Sequence, residues 1–228
     1  FFWAFSPSQD LTISPQYYSK LGYGSDFQYR YVLDKQSRGQ WFVSALQQTE
    51  LPGVSGVNQT GQDANQARAL IIGTHTQQFT PDLLLRVKAN MVTDANYLQQ
   101  LSNSGAQRAL PSTESSLLAN QRLAFGNTYL LSQYLQPLGS GGVDTFQRLP
   151  EIGYSLPNLP LFNSPILLGT DTNFVNFYRE QGFTQNRIDL LPGLSTDVLN
   201  FGHIVGFTPQ VKVRETYYTR GVQDSESQ

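Results

Sequence analysis

Side chains alternate with a period of two along most of this chain, and that pattern constrains the fold more than any motif does. From Leu83 to Met91 the odd positions are Leu83, Leu85, Val87, Ala89 and Met91, while Arg86, Lys88 and Asn90 hold even ones. Phe27, Tyr29, Tyr31 and Leu33 alternate with Asp26, Gln28 and Arg30. Val205, Phe207, Val211 and Val213 alternate with residues that include Lys212 and Arg214. Successive strand side chains point to opposite faces, so each stretch makes one apolar and one polar face; a helix would scatter the charges around its circumference.

The same reading gives strands near 10–18, 25–34, 38–48, 66–78, 83–93, 115–125, 127–136, 144–156, 167–179, 186–198 and 204–219, with Phe1 to Phe5 as the end of another. Brief connections (Thr80-Pro81-Asp82, Gly126-Asn127) alternate with long polar ones (Leu51 to Asn65, Ala95 to Glu114), and no Pro- or Ser-rich linker divides the chain. The expectation is an all-β chain, a single domain over residues 1–228 built on one continuous antiparallel sheet.

These strands are longer than the five or six residues usual in soluble sheets. Segments of about ten residues with dyad alternation, short turns on one rim and long loops on the other are the signature of a transmembrane β-barrel. Aromatic pairs near strand ends (Tyr17 and Tyr18, Phe177 and Tyr178, Tyr217 and Tyr218) suit an interfacial girdle. A water-soluble β-sandwich would alternate too, with its Tyr pairs capping a core.

Composition removes other classes. Charged residues make up 14%, against roughly 25% in ordinary soluble domains. With 15 Lys+Arg, 17 Asp+Glu and a net charge of −2, there is no basic footprint for nucleic acid. The chain has no Cys, which excludes disulfide scaffolds and thiolate zinc sites. Its longest apolar run is five residues, Phe1 to Phe5, whereas a spanning helix needs about 20. Without an initiator Met or a signal peptide, the chain reads as cut from something longer.

Particular blocks then carry a resemblance. The opening FFWAFSPSQDLTISPQYYSK (1–20) and Phe27-Gln-Tyr-Arg-Tyr31 resemble the first barrel strands of the LptD family, the outer-membrane lipopolysaccharide-assembly or organic solvent tolerance proteins. The likeness continues through Asn96-Tyr-Leu98, Phe146-Gln-Arg-Leu-Pro-Glu-Ile152, Asn173-Phe-Val-Asn-Phe-Tyr-Arg179 and Thr208-Pro-Gln-Val-Lys-Val-Arg-Glu-Thr-Tyr-Tyr218, and so spans essentially the whole chain. It implies a partial antiparallel transmembrane β-barrel, about 11–12 strands forming the N-terminal half of a larger one. The implied task is transport and insertion of lipopolysaccharide into the outer leaflet of a Gram-negative outer membrane. Implied partners are lipopolysaccharide, outer-membrane lipid, an LptE-like lipoprotein plug in the lumen, and the periplasmic components of the lipopolysaccharide bridge. A passive, porin-like channel is the alternative.

Pro15, Pro150 and Pro209 sit inside strand-like alternation, where a proline removes a ladder donor and belongs at an edge or bulge. Pro15 matches a family position where a proline weakens pairing at the lateral gate; otherwise it marks a bulge or strand end. Arg30, Arg86, Lys88, Lys212 and Arg214 are expected to face a watery lumen, because a cation facing lipid at mid-depth costs about 2–4 kcal/mol. They would contact lipopolysaccharide phosphates or the plug, or simply pair with neighbours such as Asp26 or Glu215. His75 and His203 lack the setting of a Ser-His-Asp site. Two His with no acidic cluster offer no dedicated metal site, and Gly139-Ser-Gly-Gly142 reads as a flexible loop, not a phosphate cradle. No enzyme and no cofactor are expected.

Overall fold

The computed structural model describes residues 1–19, 21–49, 66–139, 145–162, 164–179, 183–196, 199–201, 205–219 and 222–223. The Leu51 to Asn65 loop, most of Gly139-Ser-Gly-Gly142 and His203 lie outside the described residues. The elements are β1 (Phe2–Ser6), β2 (Gln9–Tyr18), β3 (Gly22–Val32), β4 (Arg38–Gln48), β5 (Gln66–Thr80) and β6 (Leu83–Val92), then the short helices α1 (Tyr97–Leu101) and α2 (Gly105–Arg108). Next come β7 (Ser112–Leu123), β8 (Gly126–Pro137), β9 (Gln147–Pro160), β10 (Ile166–Tyr178) and β11 (Phe183–Thr196). Last are β12 (Leu199–Phe201), β13 (Val205–Phe207), β14 (Gln210–Lys212), β15 (Glu215–Tyr218) and β16 (Val222–Gln223). The sheet is antiparallel, and its hydrogen-bonded order follows the chain from β1 to β11, with β14, β15 and β16 all pairing with β11. No described helix is long and apolar enough to cross a membrane.

The chain divides into two compact units, with β5 to β8 contributing residues to both. In the first, register places Leu11, Tyr29 and Trp41 in one cross-strand row and Ile13, Phe27, Val43 and Ile71 in the next. These odd positions form an uncovered apolar face: Phe1 is 78% exposed, Trp3 56% and Tyr17 80%. Even positions carry Asp10, Arg30, Gln40 and Thr74. A sandwich would bury that first face against a second layer, and among the described residues nothing covers it.

The Ala95 to Glu114 connection is not simply a polar loop. Its helices fold onto the even face, where Tyr97 and Leu98 pack with Leu70, Val92 and Leu138, against Phe42, Ile72 and Leu101. Helices this short have no periodic signature, so alternation could not announce them.

In the second unit, Ile152, Phe174, Ile188 and Tyr217 form one row of the apolar face, and Gly153, Asn173, Asp189 and Thr216 form a row of the polar one. Bulges in β9 fall at Leu149-Pro150 and at Pro157-Asn158, where two residues of β9 stand against one of β10. A strand tolerates proline there because the bulged residue makes no ladder bond.

The expected strand over 204–219 is corrected. β13 leaves the main sheet to pair with β12, while β14 and β15 share one register against β11, Lys212 opposite Gly193 and Glu215 opposite Leu190. The break between them lies opposite Pro192. Val213 N–H donates to the Pro192 carbonyl at 3.0 Å, but Pro192 has no N–H to return. Pro209 opens this alignment, accepting from Thr196 N–H at 3.2 Å.

The aromatic pairs at strand ends divide between the two faces. Neighbouring residues face opposite ways, so Tyr17 lies on the apolar face while Tyr18 donates its hydroxyl to Gln16 on the polar one at 2.6 Å.

Candidate functional site

Ile13 N–H donates to the Phe1 carbonyl at 2.8 Å, and Val32 N–H to the Ser8 carbonyl at 2.9 Å. Backbone groups of odd β2 residues thus point toward β1 and those of even residues toward β3. Pro15 is odd: it pairs with Ser25 without costing the β2–β3 ladder a bond. Its missing donor faces the β1 side, beyond the last β1–β2 pair. That is the edge placement a proline needs.

The five predicted cations all occupy polar-face positions. Arg30 Nε and Nη2 donate to the two carboxylate oxygens of Asp10 at 3.0 and 3.1 Å. Arg86 and Lys88 share their side of β6 with Val92, which packs under α1. Lys88 Nζ lies 3.7 Å from Glu114, both side chains exposed, a pair worth little in water. Lys212 stands opposite Gly193, and its Cγ lies 3.0 Å from where a Cβ on that glycine would project. Arg214 donates to both oxygens of Asp189, at 3.0 and 2.5 Å, and Thr216 adds a third bond at 2.8 Å. Lys212 and Arg214 thus belong to one polar wall in the second unit, and Arg30, Arg86 and Lys88 to the polar face of the first.

The most constrained cation was not among those predicted. Arg68, 1% exposed, donates to Asp94 through Nε and Nη2 at 2.8 Å each, and through Nη1 to Gln48 at 3.1 Å and Gln100 at 2.8 Å. Its guanidinium also lies 5.6 Å from the centre of the Tyr97 ring. Burial holds the Tyr97 phenol above its ordinary pKa, partly offset by a hydrogen bond with Ser44. The sequence signal was slight: Asp94-Ala-Asn supplies an Asx turn, with Asn96 N–H on Asp94 at 3.1 Å, that opens the helical segment.

The second unit carries a smaller network. Tyr129 donates its hydroxyl to Glu151 at 2.7 Å, and Arg148 Nη1 reaches the other carboxylate oxygen at 3.4 Å. Residues three apart in a regular strand point to opposite faces. Arg148 and Glu151 meet because the Pro150 bulge lies between them.

His75 lies on the apolar face with its Nδ1 2.6 Å from the Tyr31 hydroxyl, at the end of a ring series through Trp3, Phe5, Tyr29 and Tyr31. Among the described residues no group of three or more His, Cys, Asp or Glu could hold a metal ion.

Comparison with known proteins gives one consistent result. The family model for LptD, described as LPS transport system D, matches residues 66–228. An LPS-assembly protein LptD from Shewanella frigidimarina is 24% identical over 100% of this chain and 28% of its own length. Those from Aromatoleum aromaticum and Legionella pneumophila strain Lens are each 27% identical over 96% of this chain, covering 26% and 28% of their own lengths. The chain spans little more than a quarter of these curated relatives.

Proposed function

The chain belongs to the LptD family, and on that premise we propose that its sheet forms part of the wall of an outer-membrane β-barrel that delivers lipopolysaccharide to the outer leaflet. The single observation that carries this reading is the two-faced sheet. In the first unit exposed Phe27 and Ile71 lie on one side and Arg68 is held in a hydrogen-bonded network on the other; in the second, exposed Ile152, Ile188 and Leu194 lie on the side opposite the networks of Glu151 and Asp189. Soluble monomers rarely leave contiguous apolar patches beyond a few hundred Å² in water. Hydrocarbon is the solvent that such a face matches, and a watery lumen suits the opposite one.

In this reading Arg30, Arg86, Lys88, Lys212 and Arg214 line the lumen. Residues 1–228 belong to a single barrel domain, and an LptE-like lipoprotein occupies the lumen against the polar face. Lipopolysaccharide arrives from periplasmic bridge components. Pro15 lies at the lateral gate, where the missing donor leaves a seam that an amphiphile can part. The test is reconstitution of the full-length protein, with its lipoprotein, into liposomes supplied with lipopolysaccharide. Transfer into the bilayer is expected; ion conduction without transfer would sink the reading.

A further inference from the structure

On the polar face of the first unit, beside β1, lies a cleft of about 790 Å³. Strand register lays its floor in two rows. Asp10, Arg30, Gln40 and Thr74 form one, and Arg38 and Thr76 lie in the next. Arg30 pairs with Gln40, two residues from Arg38, which sets the two arginines diagonally with Cβ atoms roughly 7–8 Å apart. Like charges that close repel, and the cleft balances only one of them. Asp10 is the single acid among the described residues lining it, and both its carboxylate oxygens are engaged by Arg30. The cleft is therefore left with an uncompensated guanidinium, Arg38, beside the Thr74 and Thr76 hydroxyls and the Gln40 amide. Its wall toward β1 is apolar at Phe2 and Ala4 and turns polar at Ser6 and Ser8.

We infer that this cleft binds the phosphate monoester of an amphiphile's head, and that Arg38 is the residue that discriminates phosphorylated heads from neutral ones. The guanidinium fork matches phosphate oxygens in a bidentate geometry that a water-exposed ammonium does not reproduce. The hydroxyls and amide complete the shell, and the apolar wall receives the start of the acyl region. The inference rests on the lipopolysaccharide reading above and assigns a residue to it.

The test measures binding by the full-length protein in nanodiscs to a bisphosphorylated diglucosamine glycolipid, to the same glycolipid without phosphate, and to inorganic phosphate. Arg38→Gln should weaken the phosphorylated probe about tenfold, the loss expected for one charge-assisted contact, and leave the neutral probe unchanged. Arg38→Lys should recover part of the loss. Equal loss for both glycolipids, or none for either, would overturn the assignment. So would inorganic phosphate that binds as tightly as the phosphorylated glycolipid, which marks a free-anion site. A wild-type protein that binds neither glycolipid overturns the parent reading as well; one that binds both alike overturns only this one.

Discussion

Arg68 and Asp94 meet through two parallel N–H···O bonds of 2.8 Å, the guanidinium buried between β5 and the loop that carries α1. A pair held this way pins the loop to the sheet, because each further polar atom it brings (Gln48 and Gln100) is satisfied at the same point.

Removing Arg68 should be costly, because the Asp94 carboxylate, only 12% exposed, loses this partner. Arg68→Ala is expected to destabilise the protein by about 3–5 kcal/mol, read from the denaturant midpoint of the detergent-solubilised full chain. Protease should then cut between Asp94 and Pro111. An uncut loop with an unchanged midpoint would show that the pair holds nothing.

Two aromatic rings lean over glycines directly opposite them: Trp41 over Gly73, and Tyr129 over Gly153. A Cβ at either glycine would overlap the ring. Gly73→Ala is expected to cost about 1–3 kcal/mol and to shift the Trp41 emission in a Trp3→Phe background. An unchanged spectrum would mean that the ring does not rest there.

Pro192 leaves the Val213 carbonyl without its returning donor. Pro192→Ala supplies that N–H, and the new amide should exchange with solvent as slowly as its neighbours in β11. The net gain should be small, about 0.5–1.5 kcal/mol less the rigidity that proline gave the unfolded chain. Free exchange at residue 192 would contradict the shared register.

Pro15→Ala would place a donor on the β1 side of β2. In the intact protein it should tighten the seam and slow lipopolysaccharide export. Unchanged export and unchanged detergent sensitivity would remove Pro15 from the gate.

Asp34, in the β3–β4 turn, accepts the Gln36 N–H at 2.7 Å. That bond, with help from the Ser37 hydroxyl, holds its carboxyl below the ordinary 3.8. A lowered pKa favours the folded state above the unfolded value, so the contribution is present above about pH 4. It is lost as pH falls through the folded value. The Gln36 amide shift should therefore titrate with a midpoint under 3.8; a midpoint at or above it refutes the turn's role.

The sheet was legible because both faces obey the period-two rule, which places β2 to β11 within a few residues of their observed bounds. Legibility failed where the deciding partner is distant in sequence. Arg68 sits in Gln66-Ala-Arg-Ala-Leu70, which reads like any strand cation until a segment nearly thirty residues on folds over it. The single strand expected over 204–219 failed for a related reason, since β13 pairs with β12 and the break between β14 and β15 comes from Pro192 on the neighbouring strand. Among the candidate residues, polar-face placement could be read from alternation, whereas the Asp10, Glu114 and Asp189 partners depend on register, which alternation leaves free.

The two β9 bulges carry a joint consequence. One extra residue reverses the phase of everything beyond it, so Arg148 and Glu151 come to the same side although three apart, and Pro160 returns to the side of Ser155 although five apart. Either insertion alone would turn one end of the strand inside out; together they cancel. Engineering of this strand must therefore add or delete residues at Leu149-Pro150 and Pro157-Asn158 as a matched set.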